Sequence, residues 1–335
     1  MATGILLVGG FGTRLMPLTK HTPKPMLTVA GLPATEHQLA MARKAGITTL
    51  VLATSYLADL FTPYFGDGSK WGMKLLYAVE KEPLGTGGAI ANAAQLLDSN
   101  ESIVVFNGDV LSSHNLAEQI RQHEANNADV TLHLTPVDDA RAYGCVPTNS
   151  DGRVTAFLEK MDQPVTNTIN AGCYVFNPKV VKSIPLNTVI SVERETFPGL
   201  IGAGGDVFGF IDNSYWLDIG TPNALLKGSR DLVNGTADSS ALLLADIDRH
   251  DQGALVMNNA VVDATATIDG GSCIGAGATV GAGAQIHGSI IDSGATIGAG
   301  AIVTNSFIAS KAHVAQNTRI SASFVTKDEI LTIPA

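Results

Sequence analysis

The residues with the clearest chemical potential lie at the start of the chain. Gly9-Gly10-Phe11-Gly12-Thr13-Arg14-Leu15 follows the aliphatic run Ile5-Leu6-Leu7-Val8 and leads into Pro17-Leu18-Thr19 and Pro23-Lys24-Pro25-Met26-Leu27. Three glycines within four residues let backbone N–H groups approach a phosphate chain with no Cβ in the way. Arg14 and Lys24 add charge, the first as a planar fork and the second as a point charge. The string is not a P-loop, because no Gly-Lys-Ser/Thr closes it, and its Gly-Gly-x-Gly spacing departs from the dinucleotide fingerprint. A tight strand-to-helix connection uses the same glycines, so the turn by itself leaves phosphate binding and plain chain reversal both open.

Two carboxylates stand at similar punctuation. Asp109 closes Phe106-Asn107-Gly108-Asp109, and Asp218 sits just before Gly220. Such an Asp can cap a helix, shape a turn or bind a hard cation. The eight histidines are scattered, with no His-x-x-x-His or His/Cys spacing suited to a metal. His287 and His313 fall in a repeat of a kind also used by acyltransferases, but they read as surface loop residues. Trp71 and Trp216 read as packing residues, and Asp138-Asp139 as a solvated turn.

These groups need a scaffold, and up to about residue 235 the pattern supplies an alternating one. Short aliphatic runs at Ile5–Val8, Leu50–Ala53, Leu75–Val79 and Ile103–Phe106 predict strands. Thr35–Ala45, Tyr56–Phe65 and Gly87–Leu97 predict helices between them. Alternation of this kind implies a parallel sheet with helices on both faces. Later strands at Val130–Leu134, Val154–Leu158, Cys173–Phe176 and Val207–Ile211 come with fewer helices, so the sheet becomes mixed. Open α/β sheets bind ligands beyond the carboxyl ends of their strands, which points to the loops after the first, third and fourth strands.

Beyond about residue 255 the pattern changes. Aliphatic residues recur at Val262, Ile268, Ile274, Val280, Ile286, Ile291, Ile297, Val303, Ile308, Val314 and Ile320, in steps of six with two steps of five. Gly, Ala, Ser and Thr fill most intervening positions. A flexible linker does not keep apolar register in this way, and a six-residue repeat of this composition predicts a parallel β-helix. Residues 236–254 form the expected connector, helical around Ala241–Asp246. The expected organisation is thus a domain at 1–235, the connector, and a β-helix at 255–335.

With 335 residues, 45% of them hydrophobic and 16% charged, the chain can bury a large core and is not a disordered protein. Its 21 Lys and Arg against 31 Asp and Glu give a net charge of −10, which argues against nucleic acid as a partner but not against a local cationic pocket. No 18-residue apolar stretch suggests a membrane span. Cys145, Cys173 and Cys273 are too few and too far apart for a disulfide framework, and predict buried thiols in a cytoplasmic protein.

Taken together, the ordered motifs resemble the signature of the sugar-1-phosphate nucleotidyltransferases. The similarity continues through Glu80-Lys81-Glu82-Pro83-Leu84-Gly85-Thr86-Gly87-Gly88, Asn107-Gly108-Asp109, Phe157-Leu158-Glu159-Lys160, Asn170-Ala171-Gly172 and Trp216-Leu217-Asp218-Ile219-Gly220-Thr221-Pro222. With the C-terminal repeat it covers nearly the whole chain. The Glu-Pro-Leu-Gly-Thr-Gly loop and Ser191-Val192-Glu193-Arg194-Glu195-Thr196-Phe197-Pro198 look most like the mannose-1-phosphate guanylyltransferases within that family. The implied fold is a Rossmann-like α/β nucleotidyltransferase domain with a mixed, mainly parallel sheet, followed by a left-handed parallel β-helix.

The resemblance also implies roles. A sugar 1-phosphate oxygen attacks the α-phosphorus of a nucleoside triphosphate and pyrophosphate leaves; the expected pair is mannose 1-phosphate and GTP. The alternatives are glucose 1-phosphate with UTP, dTTP or ATP, or a non-catalytic regulatory subunit that binds nucleotide sugar. Arg14, Lys24, Asp109 and Asp218 are the implied catalytic residues, with Asp109 and Asp218 binding Mg²⁺. Gly9, Gly10, Gly12, Thr13, Glu80, Gly85, Thr86 and Gly108 join Arg14 and Lys24 around the nucleotide. Gly144, Glu159, Lys160, Asn170 and Gly172 would hold the sugar phosphate. Met16 replaces an Arg found in many members, and Met161 replaces the Pro that commonly follows Glu-Lys; neither change removes a catalytic group. The open ends of the β-helix predict a homo-oligomer.

Overall fold

The computed structural model describes residues 2–55, 57–98, 100–158, 160–251 and 253–333. They gather into two compact units: Met1–Gly10, Gln38–Val110 and His114–Trp216 form the first, and Phe11–His37, Leu111–Ser113 and Leu217–Ala335 the second. Sequence pattern alone assigns Phe11–His37 to the N-terminal domain, whereas their contacts group them with the C-terminal residues.

The strands of the first two-thirds of the chain are β1 (Ala2–Leu7), β2 (Thr28–Val29), β3 (Leu32–Pro33), β4 (Thr49–Thr54), β5 (Lys74–Val79), β6 (Ser102–Asn107), β7 (Val110–Ser112), β8 (Val130–Pro136), β9 (Thr168–Phe176), β10 (Val207–Ile211) and β11 (Trp216–Asp218). In the first unit seven of them make one sheet in the order β10-β8-β9-β6-β1-β4-β5. The neighbours β6, β1, β4 and β5 are parallel, while β9 runs against both β6 and β8. The mixed sheet expected from the sequence is therefore present. Its parallel strands are mostly aliphatic at their centres, with Ile5, Val51, Val104 and Val105 fully buried, as a sheet covered on both faces requires. The α-helices are α1 (Ala34–Lys44), α2 (Phe61–Phe65), α3 (Gly85–Ala94), α4 (Leu116–Ala125), α5 (Pro178–Ser183), α6 (Phe197–Gly202) and α7 (Pro222–Val233). Helix α3 packs against β1 and β4 through Ile90, Ala91 and Ala93.

Some expectations fail for local reasons. Val154–Leu158 is not a strand: Val154 N donates to Val207, Thr155 N to Pro147 and Leu158 N to Cys145, so its hydrogen bonds go to three partners and no ladder forms. The segment Tyr56–Phe65 is a 3₁₀ turn at Ala58–Leu60 followed by α2 (Phe61–Phe65), with Tyr56 outside the described residues.

In the second unit β2 and β3 form a hairpin, and α7 (Pro222–Val233) follows. The latter went unread in the sequence, although its start is well marked: Thr221 Oγ1 accepts from Ala224 N at 3.3 Å, and Pro222 takes the first turn. Residues 241–246 are turns rather than a helix, and lead into an antiparallel strand, Ile247–Asp251, at one end of the repeat region.

All eleven repeated aliphatic residues lie on strands, which form three sheets. Val261–Val262, Thr279–Val280, Thr296–Ile297 and His313–Val314 stack as one face, and Thr267–Asp269, Gln285–His287, Ile302–Thr304 and Arg319–Ser321 as another. A second inward row was not foreseen. Ala278, Ala284, Ala295, Ala301 and Ala312, each two residues before an aliphatic position, are also buried, because side chains two apart on a strand share a face. A serine ladder adds hydrogen bonds: Ser289, Ser306 and Ser323 N–H groups donate at 3.1 Å to the hydroxyls of Ser272, Ser289 and Ser306. His287 and His313 are exposed residues of strands, not of loops.

All three cysteines are buried and unpaired, and burial raises the Cys173 and Cys273 thiols. Among the described residues no helix is long and apolar enough to cross a membrane.

Three buried histidines set an acid limit on the first unit. His114 stacks on His133 with ring centroids 3.8 Å apart, and its Nε2 lies 3.0 Å from Gln119 Oε1. Burial lowers His114 and His123 to about 4 and His133 well below its usual range, the neighbouring His114 adding to the last. Each is therefore neutral when folded and protonates when unfolded below pH 6.5. As pH falls from 6.5 toward 4, each should cost about 1.4 kcal/mol of stability per pH unit. The melting temperature should drop steeply across that window, and less steeply in His133→Phe. An equally steep drop in that variant would place the acid-sensitive groups elsewhere.

Candidate active site

In the second unit the glycine-rich segment folds as a series of tight turns. Gly12, at φ 57°, begins a 3₁₀ turn over Thr13–Leu15, and its carbonyl accepts from Leu15 N and Thr19 Oγ1, both at 2.9 Å. A Cβ on Gly12 would stand 2.9 Å from Thr19 Cγ2 and 3.0 Å from Lys24 Cβ. Glycine is thus required for both the backbone angle and the close approach of the Lys24 turn. That turn, Lys24–Met26, is closed by Met26 N donating to Pro23 O at 2.8 Å, and Thr35 Oγ1 donates to Pro25 O at 2.9 Å. Thr13 and Arg14 are exposed.

The charged ends of this segment meet residues about two hundred positions later. Around buried Gly220, the place a Cβ would occupy lies 2.5 Å from Arg14 Nη2, 2.7 Å from Asp218 Oδ1 and 2.8 Å from Lys24 Nζ. Gly220 N donates to Asp218 Oδ1 at 2.7 Å. Two cations and a carboxylate from the sequence-derived set thus converge on one glycine. The Asp218 carboxylate offsets one of the two positive charges, and the net positive charge of the three groups suits phosphate oxygens.

In the first unit, the other candidates leave the sheet along its carboxyl edge. Leu7 pairs with both Ala53 and Asn107, and Thr54 with Val79, so Gly9-Gly10, Glu80 and Gly108-Asp109 emerge on that one edge. Gly108 N donates to Leu7 O at 2.9 Å, and a Cβ there would strike that carbonyl. A Cβ on Gly9 would stand 2.8 Å from Ser55 Oγ. Glu80 N is tied to Thr54 O at 2.9 Å. Its carboxylate carries a buried Oε1 with no hydrogen-bond partner, and burial raises its pKa above the usual carboxylate range. A buried acceptor without a protein partner is costly, and a water or a bound ligand can supply the missing donor.

Gly85 and Thr86 are accounted for by packing. A Cβ on Gly85 would lie 2.5 Å from Ile190 O, and Thr86 Oγ1 donates to Glu193 Oε2 at 2.7 Å while accepting from Val192 N at 3.0 Å. Glu193 is a node that the sequence reading did not single out. It also accepts from Ser191 Oγ at 2.8 Å and from Tyr174 OH at 3.4 Å. The chain of bonds continues from Asn170 Nδ2 to Tyr174 OH at 2.8 Å and from Gly172 N to Asn170 Oδ1 at 3.1 Å. A carboxylate two residues after Ser191, in a motif already noticed, was the available signal.

The sugar-side candidates are gathered by backbone. Asn170 N donates to Gly144 O at 3.1 Å, and Cys145 and Leu158 exchange hydrogen bonds at 2.8 and 2.9 Å. The chain entering Lys160 is thereby anchored beside Gly144, Asn170 and Gly172. Lys160 is exposed, and Glu159 lies outside the described residues. Trp216 packs against Tyr143 and donates through Nε1 to Ala171 O at 2.9 Å.

Residues 3–235 match the nucleotidyl transferase family, and residues 251–332 match the GMPPB C-terminal domain. The chain belongs to the nucleotidyl transferase family. It is 50% identical to a mannose-1-phosphate guanylyltransferase of Mycobacterium tuberculosis, over 77% of this chain and 74% of that one. It is 36% identical to mannose-1-phosphate guanylyltransferase 1 of Arabidopsis thaliana, over 78% and 71%. The crystal structure of HddC from Yersinia pseudotuberculosis complexed with GMP-PN aligns with a TM-score of 0.59 and 30% identity, over 68% of this chain and 98% of that one.

Nucleotidyl transferases use a divalent metal. Among the described residues no three His, Cys, Asp or Glu side chains cluster to hold one by themselves. Asp109 in the first unit and Asp218 in the second are each half-buried, and each carboxylate is the kind of oxygen ligand a hard cation takes alongside water and phosphates.

Gly220→Ala tests the convergence. The added methyl would meet the flexible ends of Arg14 and Lys24, so folding should survive with a melting temperature within a few degrees of the parent. Family activity should fall at least about tenfold as the charges are displaced. Unchanged turnover in a folded variant would contradict the assignment of this point to phosphate.

Proposed function

We propose that the chain transfers the guanylyl group of GTP to mannose 1-phosphate. A phosphate oxygen of mannose 1-phosphate bonds to the α-phosphorus of GTP, the bond to the β-phosphate bridge breaks, and GDP-mannose and pyrophosphate form. The observation that carries this reading is the convergence of Arg14, Lys24 and Asp218 on Gly220. The names of the relatives at 50% and 36% identity supply the substrate pair.

The nucleophile is already an anion, so no general base is required. The task is to overcome repulsion between two polyanions and to neutralise the departing pyrophosphate. Arg14 and Lys24 hold the triphosphate, and Gly9, Gly10, Gly12, Thr13 and Gly108 leave the backbone open to it. Lys160 grips the sugar phosphate, beside Glu159, Asn170 and the backbone of Gly144 and Gly172. Asp109 and Asp218 are the proposed carboxylates for Mg²⁺, which supplies charge neutralisation on the phosphates when bound. A cytoplasmic homo-oligomer assembled partly through the β-helix completes the proposal, as does the division at 1–235, 236–254 and 255–335.

Glu80 favours guanine. A carboxylate is an acceptor, and guanine presents two adjacent N–H donors on its Watson–Crick edge, which adenine and the pyrimidines of UTP and dTTP do not. The unpartnered Oε1 is the group to receive them. Gly85 and Thr86 then act by shaping the neighbouring loop.

Pyrophosphate release measured over a grid of triphosphates and sugar phosphates, with and without Mg²⁺, tests the reading. GTP with mannose 1-phosphate should give the highest kcat/KM, and only with a divalent metal. In Glu80→Gln the preference for GTP over UTP should fall about tenfold or more. A wild-type preference for glucose 1-phosphate with another triphosphate would replace the substrate assignment, and nucleotide-sugar binding without turnover would favour a regulatory subunit.

A further inference from the structure

The Lys24 turn is fastened to the β-helix by a charged group that the repeat itself does not need. Asp292 follows Ile291, and one coil earlier and one coil later the same position holds Gly275 and Ala309, whose backbones pair in register through Gly275 N to Ile291 O and Asp292 N to Ile308 O at 2.7 and 2.8 Å. A carboxylate at this position carries a desolvation cost, and burial holds its pKa above the ordinary range. Three donors offset that cost: Thr28 Oγ1 at 2.8 Å and Ser293 N at 2.7 Å, both on Oδ1, and the backbone N–H of Ser310. The first of them comes from 264 residues earlier in the chain.

Thr28 is buried and begins β2, directly after the Lys24 turn, which closes through Leu27 N to Lys24 O at 3.1 Å. The rest of the hairpin is docked as well. Ala30 N donates to Ser229 Oγ of α7 at 2.9 Å, and Gly31, at φ 84°, leaves no room for a Cβ, which would stand 2.5 Å from Met257 Sδ. Of these attachments the Thr28–Asp292 bond lies nearest to Lys24, one residue beyond the closed turn.

We propose that Asp292 of the β-helix is a positioning residue for nucleotide binding, holding Thr28 so that Lys24 stays aimed at Gly220. The inference rests on the nucleotidyl-transfer reading above. It gives the β-helix a part in catalysis through the triphosphate and none through the sugar phosphate. Losing the bond removes no charge from the site; it lets the Lys24 turn sample unproductive positions, and the bound triphosphate must then order it.

The test uses the full chain with Asp292→Ala, Thr28→Val, Thr28→Ser and the double variant Thr28→Val/Asp292→Ala. Because Ala309 occupies the equivalent position, Asp292→Ala is compatible with the coil. Asp292→Ala and Thr28→Val should each lower kcat/KM for GTP about tenfold, with KM for mannose 1-phosphate unchanged. Affinity for Mg²⁺-GTP, measured by calorimetry without sugar phosphate, should weaken alongside. Thr28→Ser, which keeps the hydroxyl, should match the parent, and the double variant should be no worse than either single change. Unchanged GTP parameters in Asp292→Ala would overturn the proposal. So would equal losses for both substrates, additive losses in the double variant, or a failure of Thr28→Ser to preserve activity. If the parent turns over a different triphosphate, the guanine assignment fails on that result alone, and the same variants are read with the accepted nucleotide.

Discussion

Two phosphate-bearing substrates repel each other before they can react, so the proposed reaction depends on holding cations where the triphosphate is proposed to lie. The constraint is met around a residue with no side chain. At Gly220 a single methyl group would occupy the space on which Arg14, Lys24 and Asp218 converge. Much of the second unit bears on that point. Gly12 lets the Lys24 turn come close, Pro23 and Pro25 limit its freedom, and Thr221 and Pro222 start a helix immediately after Gly220. Arg14 is exposed and Lys24 and Asp218 are half-buried, so solvent screens part of their interaction, which a polyanion bound among them would strengthen by excluding water.

The first unit solves a different problem. Its parallel strands are aligned so that Gly9-Gly10, Glu80 and Gly108-Asp109 leave on one edge, and its buried aliphatic core keeps that edge in register. Behind the edge, the bonds linking Thr86, Glu193, Tyr174, Asn170 and Gly172 join the first turn of α3 to the segment that carries the sugar-side candidates. A half-buried carboxylate that accepts from three hydroxyls, those of Thr86, Ser191 and Tyr174, makes a stiff joint, since leaving a buried group unpaired costs about 1–3 kcal/mol. The Glu80 Oε1 shares its lack of a protein partner with buried atoms of Thr3, Gln38, Asn107 and His133, but of these five it alone is a carboxylate oxygen, and it lies at the carboxyl edge of the sheet.

What could be read from the sequence was whatever a short window encodes. The aliphatic runs of β1, β4, β5 and β6 and the six-residue rhythm from Val262 to Ile320 are local patterns, and they became the sheet and the β-helix. Arg14, Lys24 and Asp218 were legible as residue types within motifs, but their meeting at Gly220 depends on contacts across about two hundred residues that no window contains. The same limit hid the bond from Thr28 to Asp292, although an Asp among Gly and Ala at one coil position was a visible irregularity. Val154–Leu158 shows the opposite error. A run suited to a strand found three separate partners, because tertiary context decides whether a β-prone segment joins a ladder. At Thr86 the motif pointed to the residue, but the bonds of its hydroxyl to Glu193 and Val192 depend on contacts more than a hundred residues away.

The central claim is that the triphosphate lies against Arg14 and Lys24 at Gly220. A crystal structure with Mg²⁺ and a non-hydrolysable GTP analogue tests it most directly. The account predicts phosphate oxygens within hydrogen-bond reach of Arg14 and Lys24, with the guanine edge against Glu80. A well-ordered nucleotide whose phosphates contact neither Arg14 nor Lys24 would contradict it.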